Sequence, residues 1–260
     1  MIRSGLVSIT FRPLSPRAII DLVVEARQQA IEWGGDLHVP HGDLTQAKEV
    51  ARMTADAGLQ LGAYGSYYRV GESEAEGLTF DTVLETAVTL GAPAIRVWVG
   101  KRRLADMDAA YRETLYSESR RIVDLAAAAG RLVVSEYHAK TLTESDEAAQ
   151  AYLAAIDHPN LRTLWQPHNA VDPAINTAGL RAVMDKVYYM HVFHWWPDRA
   201  HQMPLAEGED AWRTYLQVLH EAGRDSWAMM EYVPDNSPES YLRDARVLQS
   251  WLDDINTPGE

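Results

Sequence analysis

The sequence contains no cysteine. Disulfides and thiolate ligands are therefore excluded, and any metal site has to be built from oxygen and imidazole donors. No apolar run approaches the roughly 18 residues needed to cross a bilayer. Residues 1–5 carry neither the long apolar stretch nor the small-residue cleavage site of an export signal, so a cytoplasmic location is expected. Positive charge is scarce: 24 Lys and Arg stand against 37 Asp and Glu, a net charge of −13. A phosphate backbone calls for a basic footprint, so no nucleic-acid partner is expected. Also missing are a glycine-rich phosphate loop after the first strand and any linker or low-complexity stretch that would divide the chain.

What is present is an alternation. Apolar, β-rich segments fall at 5–11, 30–33, 60–66, 94–99, 131–137, 161–165, 187–193 and 226–232, and each interval has room for one helix and two loops. Ser15-Pro16 and Ser237-Pro238 place a capping serine before a proline at the first helical position, and Ile20, Val23 and Val24 follow as one apolar stripe. Ala57-Gly58, Leu90-Gly91, Ala129-Gly130 and Ala222-Gly223 each close a helical segment just before a strand. Eight βα units with nearly continuous apolar strands predict a parallel sheet covered by helices. Closure leaves no free edge, so the expectation is an α/β fold, a single-domain (β/α)8 TIM barrel over residues 1–255 with a frayed tail at 256–260.

Such barrels carry their sites at the C-terminal strand ends. The fifth segment ends Ser135-Glu136-Tyr137-His138, the sixth Trp165-Gln166-Pro167-His168, the seventh Met190-His191-Val192-Phe193-His194, and the eighth Met230-Glu231-Tyr232. The second runs into Gly34-Gly35-Asp36-Leu37-His38. Five of the nine histidines thus gather at or just past strand ends. Glu136 and Glu231 interrupt apolar strands, where an ionised carboxylate is costly unless paired or bound to metal. Two carboxylates and a histidine suit a hard or borderline divalent cation. A lone strand-end histidine also serves as an ordinary hydrogen-bonded residue, and Gln166 suits a cation, a substrate or the backbone equally. Tyr64, Tyr68, Arg69, Arg96 and Trp98 belong to the same rim, with Trp33, Trp165, Trp195 and Trp196 as stacking or packing groups. Lys101, Arg102 and Arg103 read either as a solvated loop or as an anion site.

These motifs, with Ile31-Glu32-Trp33-Gly34-Gly35-Asp36, resemble the strand-end motifs of the xylose-isomerase-like barrel superfamily, in order and over essentially the whole chain. That superfamily includes sugar isomerases and epimerases, inosose dehydratases and endonuclease IV-type nucleases. Its ketose epimerases hold one metal with Glu, Asp, His and Glu from strands five to eight. The resemblance assigns Glu136, His191 and Glu231 to three of those places, and puts Gln166 where the aspartate would stand. It implies one divalent ion (Mn, Mg, Co or Zn) and a small-molecule sugar or sugar phosphate as substrate. It further implies proton transfer through an enediolate, with Glu136 and Glu231 as general base and acid. His38, Arg69, Arg96, His138, His168 and His194 are the expected substrate contacts. A dehydratase on the same metal site and a non-catalytic carbohydrate-binding barrel are the alternatives. A phosphodiesterase of the endonuclease IV type fits least, because the third segment lacks the histidine expected at its end. Trp195-Trp196 and the loop through Pro204 suit either a lid or a contact in a homo-oligomer.

Overall fold

The computed structural model describes residues 1–257. Eight strands, all parallel, form a closed barrel in sequence order: β1 (Ile2–Val7), β2 (Ala30–Gly34), β3 (Gln60–Val70), β4 (Ala94–Val99), β5 (Leu132–Ser135), β6 (Leu161–Trp165), β7 (Val187–Val192) and β8 (Ser226–Met230). Each is followed by a helix on the outside: α1 (Pro16–Glu25), α2 (Leu44–Asp56), α3 (Phe80–Leu90), α4 (Ala109–Ala128), α5 (Asp146–Ile156), α6 (Pro173–Val183), α7 (Glu209–Glu221) and α8 (Pro238–Asn256). None of these helices is long and apolar enough to cross a membrane.

The helices start where side chains can satisfy their free N–H groups. Ser15, Asp43, Thr79, Asp108, Ser145, Asp172 and Ser237 each accept a backbone N–H of the first turn. They end as the glycine signals indicate: Gly91 closes α3 at φ 84°, a left-handed conformation that costs a residue with a Cβ far more.

Two apolar cores result. The larger lies between strands and helices and takes residues such as Ile31, Trp33, Trp165 and Met190. The smaller fills the barrel and, together with Ile9 and Trp227, includes a layer with one residue from each strand: Val7, Ala30, Ala63, Ala94, Val134, Leu164, Tyr189 and Met229. Side chains alternate along a strand, so the residue two places on from each of these points the same way, one layer higher. Those residues are Ile9, Glu32, Gly65, Arg96, Glu136, Gln166, His191 and Glu231. The apolar layer is therefore the floor on which six polar groups stand, with Ile9 and Gly65 filling the other two places.

Several strands are shorter than their apolar runs. β1 stops at Val7 and the chain turns through a 3-10 segment, Ser8–Phe11. β5 and β8 stop one residue before Glu136 and Glu231, which begin the loops above the barrel. β3 instead runs on to Val70, with a break in its register against β4 between Gly65 and Tyr68 and with Tyr67 at φ 56°.

The ring closes between β1 and β8, where Ile2 pairs with Ser226 and Leu6 with Met230. Asn256, expected in a frayed tail, is instead the last residue of α8, and residues 258–260 lie outside the described part. Its Oδ1 accepts the Ile2 N–H at 2.9 Å and its Nδ2 donates to the Ile2 carbonyl at 2.7 Å. Replacing Asn256 with Ala removes both bonds and is expected to cost about 1–3 kcal/mol. A thermal melt would show this as a lower Tm, and an unchanged Tm would mean that the closure does not depend on this clasp.

Candidate active site

A cavity of about 560 Å³ opens over the C-terminal ends of the strands. Its floor and walls include Arg96, Trp98, Glu136, His138, Gln166, His168 and Glu231. Tyr67, Tyr137, Phe193, Trp195 and Tyr232 give it aromatic sides, and Arg12 and Arg199 reach it from loops.

Beneath the cavity runs a buried chain of charge. Glu32, from β2, is fully buried and spans two cations with its two oxygens. Oε1 accepts from Arg96 Nε at 2.6 Å, and Oε2 lies 3.0 Å from His191 Nε2. Arg96 Nη1 also pairs with Glu136 Oε2, which takes the Trp98 indole N–H at 2.5 Å as well. On the other side His191 Nδ1 faces Glu231 Oε2 at 3.3 Å. Gly65 is what lets these groups meet: a Cβ there would lie 2.6 Å from Glu32 Oε1 and 2.7 Å from Arg96 Nη2.

Burial opposes the charge on Glu32, yet the Arg96 guanidinium and then His191 outweigh it and hold its pKa down to about 2. Burial likewise opposes a charged His191, and the carboxylates of Glu231 and Glu32 overcome it and raise the imidazole to about 10. Arg96, with Glu136 and Glu32 on either side, stays charged throughout.

The four groups assigned to a metal come from four successive strands, and the structure places them at one end of the barrel. Glu136, Gln166 and Glu231 line the cavity, while His191 lies fully buried behind Glu231. Among the described residues no three His, Cys, Asp or Glu side chains converge as a ready cation cage. Arg96 draws Glu136 towards β4, and a glutamine stands among the donors. The donor chemistry nevertheless fits a divalent ion. Gln166 Nε2 donates to the Tyr137 carbonyl at 2.5 Å, which leaves its Oε1 buried and without a partner. His191 Nδ1 is likewise buried and unpartnered. Three carboxylates against one guanidinium leave two negative charges when His191 is neutral, the amount that one divalent cation cancels.

Of the expected substrate contacts, Arg96, His138 and His168 line the cavity. His138 tilts against Trp98 with ring centroids 4.5 Å apart, and His168 Nε2 lies 3.4 Å from Asp146 Oδ1. The other three do not line it. His38 is buried beside β1, with Nδ1 2.9 Å from Ser8 Oγ, the atom that also accepts the Gly34 N–H. Arg69 lies over the far face of the aromatic wall, 4.2 Å from the Trp98 centroid, and donates to the Gly100 carbonyl. His194 packs against Gly208 in a smaller neighbouring cavity. His38 and His194 follow strands that have ended, and Arg69 lies in β3 past the break in its register, so nearness to a strand end no longer fixes direction.

Other rim candidates face outward because strand alternation itself turns Trp33, Tyr64 and Trp165 towards the helices. Tyr64 and Tyr68 are fully buried, and the Tyr68 hydroxyl bonds to Glu118 of α4. Trp33 donates to Thr54 of α2, and Trp165 packs on Tyr215 of α7. Lys101 is neutralised by Glu72 at 2.5 Å, and Arg103 lies 3.6 Å from both Asp106 and Glu144. The largest omission from the sequence reading is Glu32 as a site residue. Its signal was available, since Glu32 breaks an apolar strand in the way Glu136 does.

The family described as xylose isomerase-like TIM barrel matches residues 20–251. A 3-dehydroshikimate dehydratase of Bacillus anthracis is 25% identical over 176 residues. That alignment covers 59% of this chain and 61% of the relative, so the chain spans about three fifths of the relative's length. Among solved structures, the D-psicose 3-epimerase of Clostridium cellulolyticum H10, determined with D-tagatose, is similar with a TM-score of 0.71, 14% identity and 98% of both chains covered. A xylose isomerase-like TIM barrel protein of Mycobacterium smegmatis in complex with magnesium gives a TM-score of 0.74, 16% identity and 98% of both chains.

Replacing Arg96 with Met leaves Glu32 without its guanidinium and is expected to cost about 3–5 kcal/mol near neutral pH. Because the folded-state pKa of Glu32 is depressed, its contribution is full above the ordinary carboxylate value of 4.5 and is lost as pH falls towards about 2. The gap between variant and wild type should therefore narrow across that window, read from denaturant midpoints. A gap that stayed constant down to pH 2 would rule out the ion pair as the source of the cost.

Proposed function

Because the chain belongs to the xylose isomerase-like TIM barrel family, we propose that it is a divalent-metal-dependent isomerase or epimerase, moving a proton beside the carbonyl of a sugar or sugar phosphate. The observation that carries this reading is the pair of carboxylates, Glu136 after β5 and Glu231 after β8, lining one cavity with His191 and Gln166 between their strands.

Glu136, Gln166, His191 and Glu231 would hold the ion through carboxylate, amide and imidazole donors. When bound, such an ion polarises a substrate carbonyl and stabilises negative charge that develops on it. The remaining work belongs to the chain. Glu136 is kept in one place by Arg96 and Trp98, so it is poised to take a proton from a carbon above it. Glu231 stands on the opposite side and returns the proton. Arg96 adds a fixed positive charge under the reacting carbon, where an enediolate forms. His138 and His168 face the cavity at positions suited to substrate hydroxyls. The aromatic sides provide flat apolar faces for the C–H surface of a sugar and exclude water from the proton being moved.

A dehydratase is the second reading. It is supported by the 3-dehydroshikimate dehydratase relative and by His168, whose Nε2 is backed by Asp146 and which could protonate a departing hydroxyl. The magnesium bound to the Mycobacterium smegmatis protein supports a divalent ion without choosing among Mn, Mg, Co and Zn.

The test is turnover of a panel of ketoses, aldoses, their phosphates and cyclic hydroxy-ketones, before and after chelation. Chelation should abolish activity and Mn or Mg should restore it. Glu136→Gln and Glu231→Gln should each lower kcat by about 10²-fold or more. Exchange of a substrate C–H for solvent deuterium with unchanged composition identifies an epimerase or isomerase, and loss of water identifies a dehydratase. Full turnover in both glutamine variants would overturn the acid–base assignment.

A further inference from the structure

Glu32 touches neither the cavity nor, on the reading above, the ion, yet it joins two of the groups that matter most. We propose that Glu32 is a positioning residue that keeps a proton on His191 Nε2, so that Nδ1, beside Glu231, is the nitrogen left for a bound cation. This rests on the metal-site reading and goes beyond it by assigning the proton on His191 and the group that places it.

The argument is one of acceptors and donors. Each Glu32 oxygen has its own partner: Oε1 takes Arg96 Nε at 2.6 Å, and Oε2 meets His191 Nε2 at 3.0 Å. Arginine has no acceptor and keeps its protons, so Oε1 is committed. Oε2 is an acceptor, so its imidazole partner has to donate. In neutral imidazole the single proton then sits on Nε2 and Nδ1 is free. Nδ1 lies 3.3 Å from Glu231 Oε2 without a well-aligned hydrogen bond, so it is the nitrogen whose proton a cation would displace. The surroundings hold Glu32 in this arrangement. It is fully buried, Gly65 presses against Oε1 with no room for a Cβ, and Tyr189 lies tilted against the His191 ring at 5.4 Å between centroids. A carboxylate behind a ligating histidine typically raises metal affinity 10–100-fold by fixing tautomer and ring orientation.

Glu32→Gln separates this role from charge or bulk. The amide has one acceptor oxygen. Arg96, always charged, takes it, and the –NH2 then faces His191 Nε2, which has to accept and send its proton to Nδ1. Two measurements test the proposal. Calorimetric titration with Mn²⁺ alone should give affinity about 10–100-fold weaker in Glu32→Gln than in wild type. Histidine ¹⁵N NMR of zinc-loaded wild type should show His191 protonated on Nε2 and not on Nδ1, a readout that survives even if the variant does not fold. Mn²⁺ affinity unchanged in Glu32→Gln, or a proton on Nδ1 in the zinc-loaded wild type, would overturn the positioning role and leave the metal site standing. A wild type that binds no Mn²⁺ would overturn the metal reading and this inference with it.

Discussion

Arg96 lies in the middle of the barrel with a side chain that is 2% exposed and a charge it cannot lose. Taking a guanidinium out of water costs several kcal/mol unless well-placed acceptors replace the solvent. Two carboxylates do so, Glu32 from β2 and Glu136 from β5. Most of the upper barrel follows from that requirement. Gly65 has to lack a side chain, Glu32 has to be ionised, and its second oxygen is free to reach His191 on the far side. One arginine thereby couples strands 2, 4, 5 and 7 through side chains, in addition to the backbone ladder that joins neighbours.

The same coupling suits a proton-transfer site. A general base has to be both ionised and held still. Arg96 and the Trp98 indole hold Glu136 by the same oxygen, Oε2, which leaves its other oxygen free of both. Gln166 then reads as one side of a balance. A neutral amide stands where the resemblance leads one to expect a carboxylate, and a fixed cation stands one strand away from Glu136. Both changes make the upper barrel less negative, so an ion bound there would face a weaker attracting field and remain a stronger Lewis acid.

The barrel was legible in the sequence because its signals repeat: apolar strands, serine caps and closing glycines recur in order, and each repetition supports the others. Glu136, Gln166, His191 and Glu231 were legible because strand alternation carries them one layer above Val134, Leu164, Tyr189 and Met229. His38 and His194 lie away from the cavity because they stand in loops, where loop conformation decides direction, and Arg69 because β3 breaks register before it. His38 turns to Ser8, Arg69 to Trp98 and His194 to Gly208. Arg12 and Arg199 reach the cavity from loops and Tyr67 from the break in β3, with a positive φ, and no strand period announces them. Glu32 differs, for its alternation from Ala30 was in plain view. What the sequence could not show was that its partner is an arginine two strands away.

The seam between β1 and β8 has a consequence for how the chain comes to be folded. β1 is made first, and its partners on one side, β8 and the end of α8, are made last. Until residues 226–256 have left the ribosome, β1 has a neighbour on β2 alone, and its other edge offers a row of unpaired N–H and C=O groups. From the emergence of β1 to that of β8, the first strand therefore lacks one of its two barrel neighbours. A truncation that removed β8 would leave β1 with that edge open, ready to pair with another copy instead of with itself.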